Sequence, residues 1–356
     1  IRDSHNGATM TDKYRVGIVG AGFGSRVHLP AFTAHPKFEV VALASPHSAQ
    51  KIAAERKIPK AFSTCKELLE GADVDVVSIA TPPFTHHADV LASLAAGKHV
   101  LCEKPFALNV KQAEEMLAAA ERAKTATAVM HEFRWVPERI AIKELVDNGH
   151  ITPLREIEVT QLAGRLRADV ERPHSWWFER ECGGGMAGAL LSHIIDNANF
   201  IAGRAPLRSS GFLRTANPVR RAPDGTTFTS TVDDGCFALV DYGDGLIGRL
   251  SVDGTAAVDS FTMAVHGENR TAVASGPEIF DTRLFSVDAE ETAELECKPS
   301  RYEKLRAIDP QVPLVMELLD EFVKQIETGK SAVPTFAEAV ATQRVLESIG
   351  YRVPSP

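Results

Sequence analysis

Apolar and polar positions change rhythm near residue 131, and that change divides the chain. Before it, the runs "YRVGIVG", "FEVVALA", "DVVSIAT", "HVLCEKP" and "ATAVMHE" are short, nearly continuous and rich in β-branched residues. Between them, "SAQKIAAERK", "THHADVLASLAAG" and "NVKQAEEMLAAAERA" carry Ala and Leu at helical spacing. Strands apolar on both faces, alternating with helices, predict a parallel sheet covered from both sides. Residues 13–131 therefore read as a doubly wound α/β domain.

From Glu132 onward the pattern is mixed. A helix is expected over Val136–Asn148 and a strand near "LREIEVTQLAG". After a glycine cluster comes an amphipathic helix within "GGGMAGALLSHIIDNANFIAG". "GCFALVDYGDGLIGRLSVDG" reads as a hairpin turning at Asp244-Gly245, with more short strands after it. Two helices, near Pro310–Thr328 and Thr335–Gly350, close the pattern. Residues 132–356 are thus expected to form an α+β domain with a largely antiparallel, open sheet. The uncovered face of such a sheet predicts a homodimer or homotetramer built through it. Residues 1–12 read as a polar leader outside both domains.

At 356 residues, 44% of them hydrophobic, the chain can fill two cores. A net charge of −8 without a basic block excludes nucleic-acid binding by phosphate neutralisation and a polybasic membrane contact. No apolar stretch approaches the roughly 18–20 residues of a membrane span. Five scattered cysteines without C-x-x-C spacing argue against a disulfide framework and a zinc site, and suit a reducing, cytoplasmic setting. No metal is expected.

Candidate chemistry begins at "VGIVGAGFGSRVHLPAF". Gly20, Gly22 and Ser25 stand in a G-x-G-x-x-G frame directly after a strand and ahead of a helix, with Phe23 and Gly24 inside it. The first glycine permits the tight turn, and the second lets the backbone approach a pyrophosphate. Ser25 takes the third position, where a small residue serves helix packing. In this βαβ setting the frame predicts a Rossmann fold holding NAD or NADP. Ser45 ends the second strand where an acid would hydrogen-bond the adenosine ribose. Without that carboxylate, and with His47, Ser48 and Lys51 beside it, the balance tilts toward NADP. The same residues also suit an exposed helix start capped by Ser48.

Four features coincide: the glycine turn, "ATPPFTHH" after one strand, "CEKP" after the next, and a histidine helix in the second domain. Together, from Tyr14 to Tyr351, they resemble the glucose-fructose oxidoreductase, inositol dehydrogenase and rhizopine catabolism family, Gfo/Idh/MocA. The resemblance implies an NAD(P)-dependent oxidoreductase moving a hydride between nicotinamide and a hydroxyl-bearing carbon of a sugar, cyclitol or related polyol. It also puts Lys104 near both nicotinamide and substrate, as a catalytic residue. The residues point the same way, because strand ends of an open parallel sheet face the ligand crevice and Pro105 keeps Lys104 extended. A lysine desolvated beside a cationic ring can bind a substrate hydroxyl and pass its proton. Glu103 either orients Lys104 or holds the local backbone; the alternative is a Glu-Lys surface pair at a strand end. By the same resemblance Thr81, Pro82 and Pro83 shape a loop under the cofactor, and His86 reaches its ribose or nicotinamide side. Alternatively His86 and His87 simply open a helix, and His28 is a similar case.

His193 lines up with the family's catalytic histidine. The family pattern is D-x-x-x-H, with both side chains on one helix face. Ala189 occupies the aspartate's place here, and Asp196 and Asn197 are the nearest substitutes. Without the resemblance His193 would read as a core residue. Arg134 and Trp135 are expected to enter the cleft between domains. "GRLRADVERPHSWWFERECGGG" brings Arg165, Arg167, Arg172, His174, Trp176, Trp177 and Arg180 ahead of the histidine helix. Aromatic faces stack on sugar rings and arginines grip anions, so an anionic carbohydrate fits. A solvated loop with a tryptophan at an oligomer contact fits equally. The expected substrate contacts are Lys104, Arg134, Trp135, Arg172, His174, Trp176, Trp177, His193 and Asn197. Two other functions keep the fold: a redox-neutral glycosidase or lyase using transient sugar oxidation, and a non-catalytic sensor, which Ala189 would mark.

Overall fold

The computed structural model describes residues 13–353, so the leader expected over 1–12 lies outside the described residues. The first domain runs β1 (Tyr14–Val19), α1 (Leu29–Ala34), β2 (Phe38–Ala44), α2 (Ala49–Arg56), β3 (Lys60–Phe62) and α3 (Cys65–Gly71). It continues with β4 (Val76–Ile79), α4 (Pro83–Ala95), β5 (His99–Cys102), α5 (Val110–Ala123) and β6 (Thr127–Val129). The six strands are parallel, in the order β3-β2-β1-β4-β5-β6. Adjacent residues such as Val76 and Val77, or Val100 and Leu101, point to opposite faces, yet all are buried. Helices on both sides demand that, which is why these runs are continuously apolar. The strand order reverses between β1 and β4, and a ligand crevice forms at their carboxyl ends. The three-residue β3 and the short α3 after it do not appear in the sequence pattern above.

The second domain begins with α6 (Pro137–Asp147), β7 (Leu154–Leu162) and α7 (Ser192–Ala202), then β8 (Arg208–Arg214). A separate ribbon follows, β9 (Val219–Arg221) and β10 (Thr227–Thr229). The sheet is completed by β11 (Gly235–Gly243), β12 (Leu246–Asp253), β13 (Ser260–Gly267), β14 (Thr271–Glu278), β15 (Asp281–Val287) and β16 (Thr292–Leu295). Its order is β16-β15-β14-β13-β7-β12-β11-β8, antiparallel except where β7 runs beside β12. The β11–β12 hairpin turns at Asp244 (φ 53°) and Gly245 (φ 77°), the left-handed pair that a tight two-residue loop requires. Alternation along β11 buries Cys236, Ala238, Val240 and Tyr242 beneath Ile194, Ile195, Ala198 and Ile201 of α7. On the other face Phe212, Leu239 and Ile247 remain exposed, with Phe212 stacked on Phe237.

The last two helices, α8 (Val312–Thr328) and α9 (Phe336–Ser348), alter the expected division at residue 131. Val315, Leu318, Leu319 and Phe322 of α8 join Val16, Ile18, Phe32 and Phe38 in the core of the first domain. Burying each such side chain contributes about 1.5–3 kcal/mol, so α8 is a structural part of that core. Phe336 and Val340 of α9 likewise pack with residues of β4 and β5, and Val129 of β6 donates its N–H to the Pro334 carbonyl. The chain leaves the first domain after β6 and returns to it with α8.

Candidate active site

A cavity of about 840 Å³ follows the carboxyl ends of β1, β2, β4 and β5. Trp176, Trp177, Gly183, Gly185 and Ala189 of the second domain close its far side. At Gly20 the backbone turns with φ +104°, and an added Cβ would sit 2.3 Å from the Ala80 carbonyl oxygen, so only glycine fits. Gly22 has the opposite property. A Cβ there meets nothing within 4 Å, so its bareness leaves room on the cavity side. Gly24, not Ser25, does the close packing: a Cβ on it would come 3.1 Å from Ile18 and 3.2 Å from Ala80. Ser25 donates its hydroxyl to the Ala21 carbonyl inside the helical turn and does not line the cavity, which corrects the role expected for it. Phe23 does line it.

Ser45 and His47 line the far end, where the adenosine half of a dinucleotide would lie. Ser48 precedes α2 without capping it through its side chain; its hydroxyl lies 3.0 Å from that of Ser45. Ser63, Thr64 and Cys65 complete this end, three residues that the sequence did not single out. An open glycine turn, a strand-end serine and a long apolar floor including Thr81, Pro82 and Pro83 suit a dinucleotide lying along the sheet edge.

At the other end lies Lys104. Glu103, almost fully buried, is bound by His28, whose Nε2 is 2.9 Å from Oε1, while Oε2 accepts the Lys104 backbone N–H at 3.1 Å. Ser78 holds the second nitrogen of His28 at 2.8 Å. Burial alone would raise the Glu103 carboxyl, yet His28 and Lys104 hold it below its ordinary value. Glu103 therefore anchors the turn, leaving the Lys104 ammonium free of it; the amine donates to the Ala189 carbonyl at 3.0 Å. His86 is buried, with its nitrogens 3.0 Å from the Pro105 carbonyl and 2.9 Å from the Thr81 carbonyl. It ties the two strand-end turns together and does not line the cavity, so the expected ribose contact is absent. Burial lowers its pKa.

His193 is buried, stacked on Phe133 at 3.7 Å between centroids, and neither ring nitrogen has a hydrogen-bonding partner. Burial first, and Lys104 next, push its pKa well down. Asn197 donates to the His193 carbonyl, while its side-chain oxygen has no partner. Neither residue lines the cavity. Arg134 does not enter the cleft. It is buried and bidentate to Asp196, at 2.7 and 2.6 Å, with Glu338 at 3.0 Å. Burial would raise Asp196, but Arg134 outweighs it and holds the carboxyl far down. Asp196 is thus the arginine's partner and no substitute for an aspartate at 189.

Trp135 packs against the first-domain core and Arg134 beside it is spoken for, so the pair expected in the cleft is structural. Trp176, 40% exposed, and Trp177 reach the cavity. Arg172 lies over the Trp177 ring at 4.8 Å, away from the cavity lining, and His174 pairs with Glu179 on the exposed side. Asp233 is a positioning residue that the pattern did not show. It accepts the Ala187 N–H at 2.8 Å at the start of the turn leading into α7, and burial pushes its carboxyl up to about 7.

A glycine turn at the switch point of a parallel sheet, lining one cavity with a strand-end lysine and with residues of a second domain, is the arrangement of an NAD-binding oxidoreductase. Residues 14–131 match the model described as oxidoreductase family, NAD-binding Rossmann fold, and residues 140–273 match the GFO/IDH/MocA C-terminal domain; the chain belongs to the Gfo/Idh/MocA family. It is 27% identical over 349 residues to the uncharacterized oxidoreductase sll0816 of Synechocystis, covering 95% of this chain and 94% of that protein. It is 27% identical over 285 residues to a levoglucosan dehydrogenase of Pseudarthrobacter phenanthrenivorans, 72% of each chain. Among solved structures, an oxidoreductase domain protein from Kribbella flavida superposes with a TM-score of 0.83 at 26% identity, over 96% of both chains.

Proposed function

We propose that this chain exchanges a hydride between NAD(P) and a hydroxyl-bearing carbon of a sugar, cyclitol or related polyol, with Lys104 carrying the hydroxyl proton. The observation that supports this best is the Lys104 ammonium, freed from Glu103 and held 3.0 Å from a backbone carbonyl at the edge of the cavity. A relative named levoglucosan dehydrogenase supports a carbohydrate as the substrate class.

When bound, NAD(P) supplies the hydride acceptor or donor. The chain supplies orientation and the proton path. The Gly20–Gly22 turn lets backbone approach the pyrophosphate, and Trp176 and Trp177 offer flat apolar faces to the carbons of a ring. A substrate hydroxyl replaces the Ala189 carbonyl as the partner of Lys104. In the oxidising direction the amine takes the hydroxyl proton; in the reducing direction the ammonium returns it. His193, neutral in its buried setting, keeps one ring donor and one ring acceptor without partners. The absence of an acid at Ser45, whose hydroxyl lies against that of Ser48, supports NADP. Exposed Phe212, Leu239 and Ile247 support pairing of two copies through the outer sheet face. Five unpaired cysteines agree with a reducing, cytoplasmic setting, and no helix among the described residues is long and apolar enough to cross a membrane.

The test is turnover and binding of NAD and NADP separately, against neutral and acidic sugars and cyclitols, with mass spectrometry of products. Reduced dinucleotide formed in step with a product two hydrogens lighter is the expected result. Product without net reduced dinucleotide would favour the redox-neutral reading, and dinucleotide binding without product across the whole panel would favour a sensor.

A further inference from the structure

Two acids line the long cavity, Glu103 and Asp89. Glu103 is held by His28 and by a backbone N–H. Asp89, half-buried in the second turn of α4, has no hydrogen bond to its carboxyl and no ion pair among the described residues. Its polar neighbours are Thr81, Thr85 and Cys65. The Thr85 hydroxyl, one turn earlier, gives its proton to Thr81 at 2.6 Å. The Cys65 thiol lies 3.8 Å from the Ser93 hydroxyl, which in turn donates at 2.7 Å to the Asp89 backbone carbonyl and not to its side chain. A half-buried carboxyl that opens on a cavity with no donor of its own is an acceptor kept for something the cavity takes in.

Its place along the cavity says what that is. Lys104 stands after β5, the Gly20–Gly22 turn after β1, and Ser45 after β2; Ser63, Thr64 and Cys65 wall the end beyond Ser45. Asp89 belongs to the helix after β4, yet the Cys65–Ser93 contact ties its turn to the start of α3. It therefore stands at the end of the cavity away from Lys104. The other polar side chains there are largely occupied. The Ser45 and Ser48 hydroxyls lie 3.0 Å apart, and Thr64 accepts the Glu67 N–H at 3.2 Å as the cap of α3. The basic side chains of the lining are Lys104, at the opposite end, and His47, which makes no ion pair with Asp89.

An ionised carboxyl only accepts hydrogen bonds. Of the groups in the adenosine half of a dinucleotide, the phosphates and the ring nitrogens are acceptors too, whereas the ribose hydroxyls and the 6-amino group of adenine are donors. The ribose belongs at the end of β2, beside Ser45, so the base continues past it toward α3 and α4. We infer that Asp89 is a specificity-determining residue that accepts a hydrogen bond from the 6-amino group of adenine and so reads the identity of the base. The inference rests on the reading of this cavity as the dinucleotide site. It is independent of Lys104 and of the choice between NAD and NADP, since both carry the amine. A base without that amine leaves the carboxyl desolvated and unpaired, which is the stronger half of the discrimination.

The experiment is equilibrium binding, read by the fluorescence of the reduced nicotinamide, to the full chain. The probes are the natural dinucleotide and an analogue with unsubstituted purine in place of adenine, both in the NADH or the NADPH form, whichever the wild type binds tighter. Wild type should bind the analogue about tenfold more weakly, the worth of a hydrogen bond to a charged group. In Asp89→Ala the two should bind within about twofold of each other, the natural dinucleotide having lost what the analogue never had. Asp89→Asn, whose amide oxygen still accepts, should keep the natural dinucleotide within about threefold of wild type. Equal binding of the two probes by wild type would overturn the inference, and that comparison needs no variant to fold. Asp89→Ala weakening both probes alike would also overturn it, by giving the carboxyl to the ribose. Binding of neither probe would defeat the dinucleotide reading of the cavity and this inference with it, whereas equal binding defeats this inference alone.

Discussion

The two sides of the Lys104 turn treat buried charge in opposite ways. Toward the first domain, Glu103, His28, Ser78 and His86 form a closed set in which each side chain has partners within 3.1 Å. Toward the second, Glu132, His193 and the Asn197 oxygen are equally buried and have none. A closed network is rigid and changes little when a ligand arrives. An open one keeps desolvated donors and acceptors whose partners must come from a neighbour that moves or from a bound molecule. Residue type and burial are the same on both sides, so pairing is what separates framework from chemistry.

That contrast can be broken in four ways. The largest effect is expected from Lys104→Ala, which should lower turnover about 10²–10⁴-fold while dinucleotide affinity, read by fluorescence titration, stays within about threefold. Loss of both together would move Lys104 into the framework. Next, His28→Ala leaves the Glu103 carboxylate buried without its partner and should cost about 3–5 kcal/mol in denaturant unfolding. A cost near zero would mean the closed set is ornamental. Third is the pH dependence of stability at Glu132. Its folded value of about 8 lies above the ordinary 4.5, so the folded state keeps the proton longer than the unfolded one. The stability contributed by this group is complete below about pH 4.5 and is lost as pH rises through about 8. Thermal melts should therefore show Glu132→Gln closest to wild type near pH 4.5 and several degrees more stable at pH 8; parallel curves would remove Glu132 from the open set. The smallest effect is at the adenosine end, where Ser45→Asp should weaken NADPH relative to NADH by about tenfold in equilibrium binding, about 1.4 kcal/mol.

Much of this molecule is legible in its residue pattern, for reasons that also mark where legibility stops. The strands at "YRVGIVG" and "HVLCEKP" are apolar on both faces because helices cover both, and the hairpin at Asp244-Gly245 announces itself by turn chemistry. β3 has three residues, too few for any period to show. The return of α8 to the first domain is equally hidden, since an amphipathic helix shows which face it buries and not against what. In the candidate site, the turn at Gly20 and Gly22 is legible from its local sequence, whereas the weight placed on Lys104 came chiefly from the family resemblance. Arg134 misleads because a strand-end arginine looks like a ligand contact until its partner, Asp196, is found 62 positions away. Glu132 was missed for the converse reason. In "MHEFRW" an acid reads as solvated, and only long-range packing buries it; its place at the carboxyl end of a parallel strand was the available signal.

The seating of α8 has a consequence for how the protein is made. On the ribosome, residues 13–131 emerge first with their dinucleotide crevice nearly drawn, yet the groove that Val315, Leu319 and Phe322 occupy stays bare until residue 323 has been synthesised. Nascent chains stalled before that point should hold a protease-sensitive, chaperone-binding half, and maturation of the first domain becomes a late event in translation.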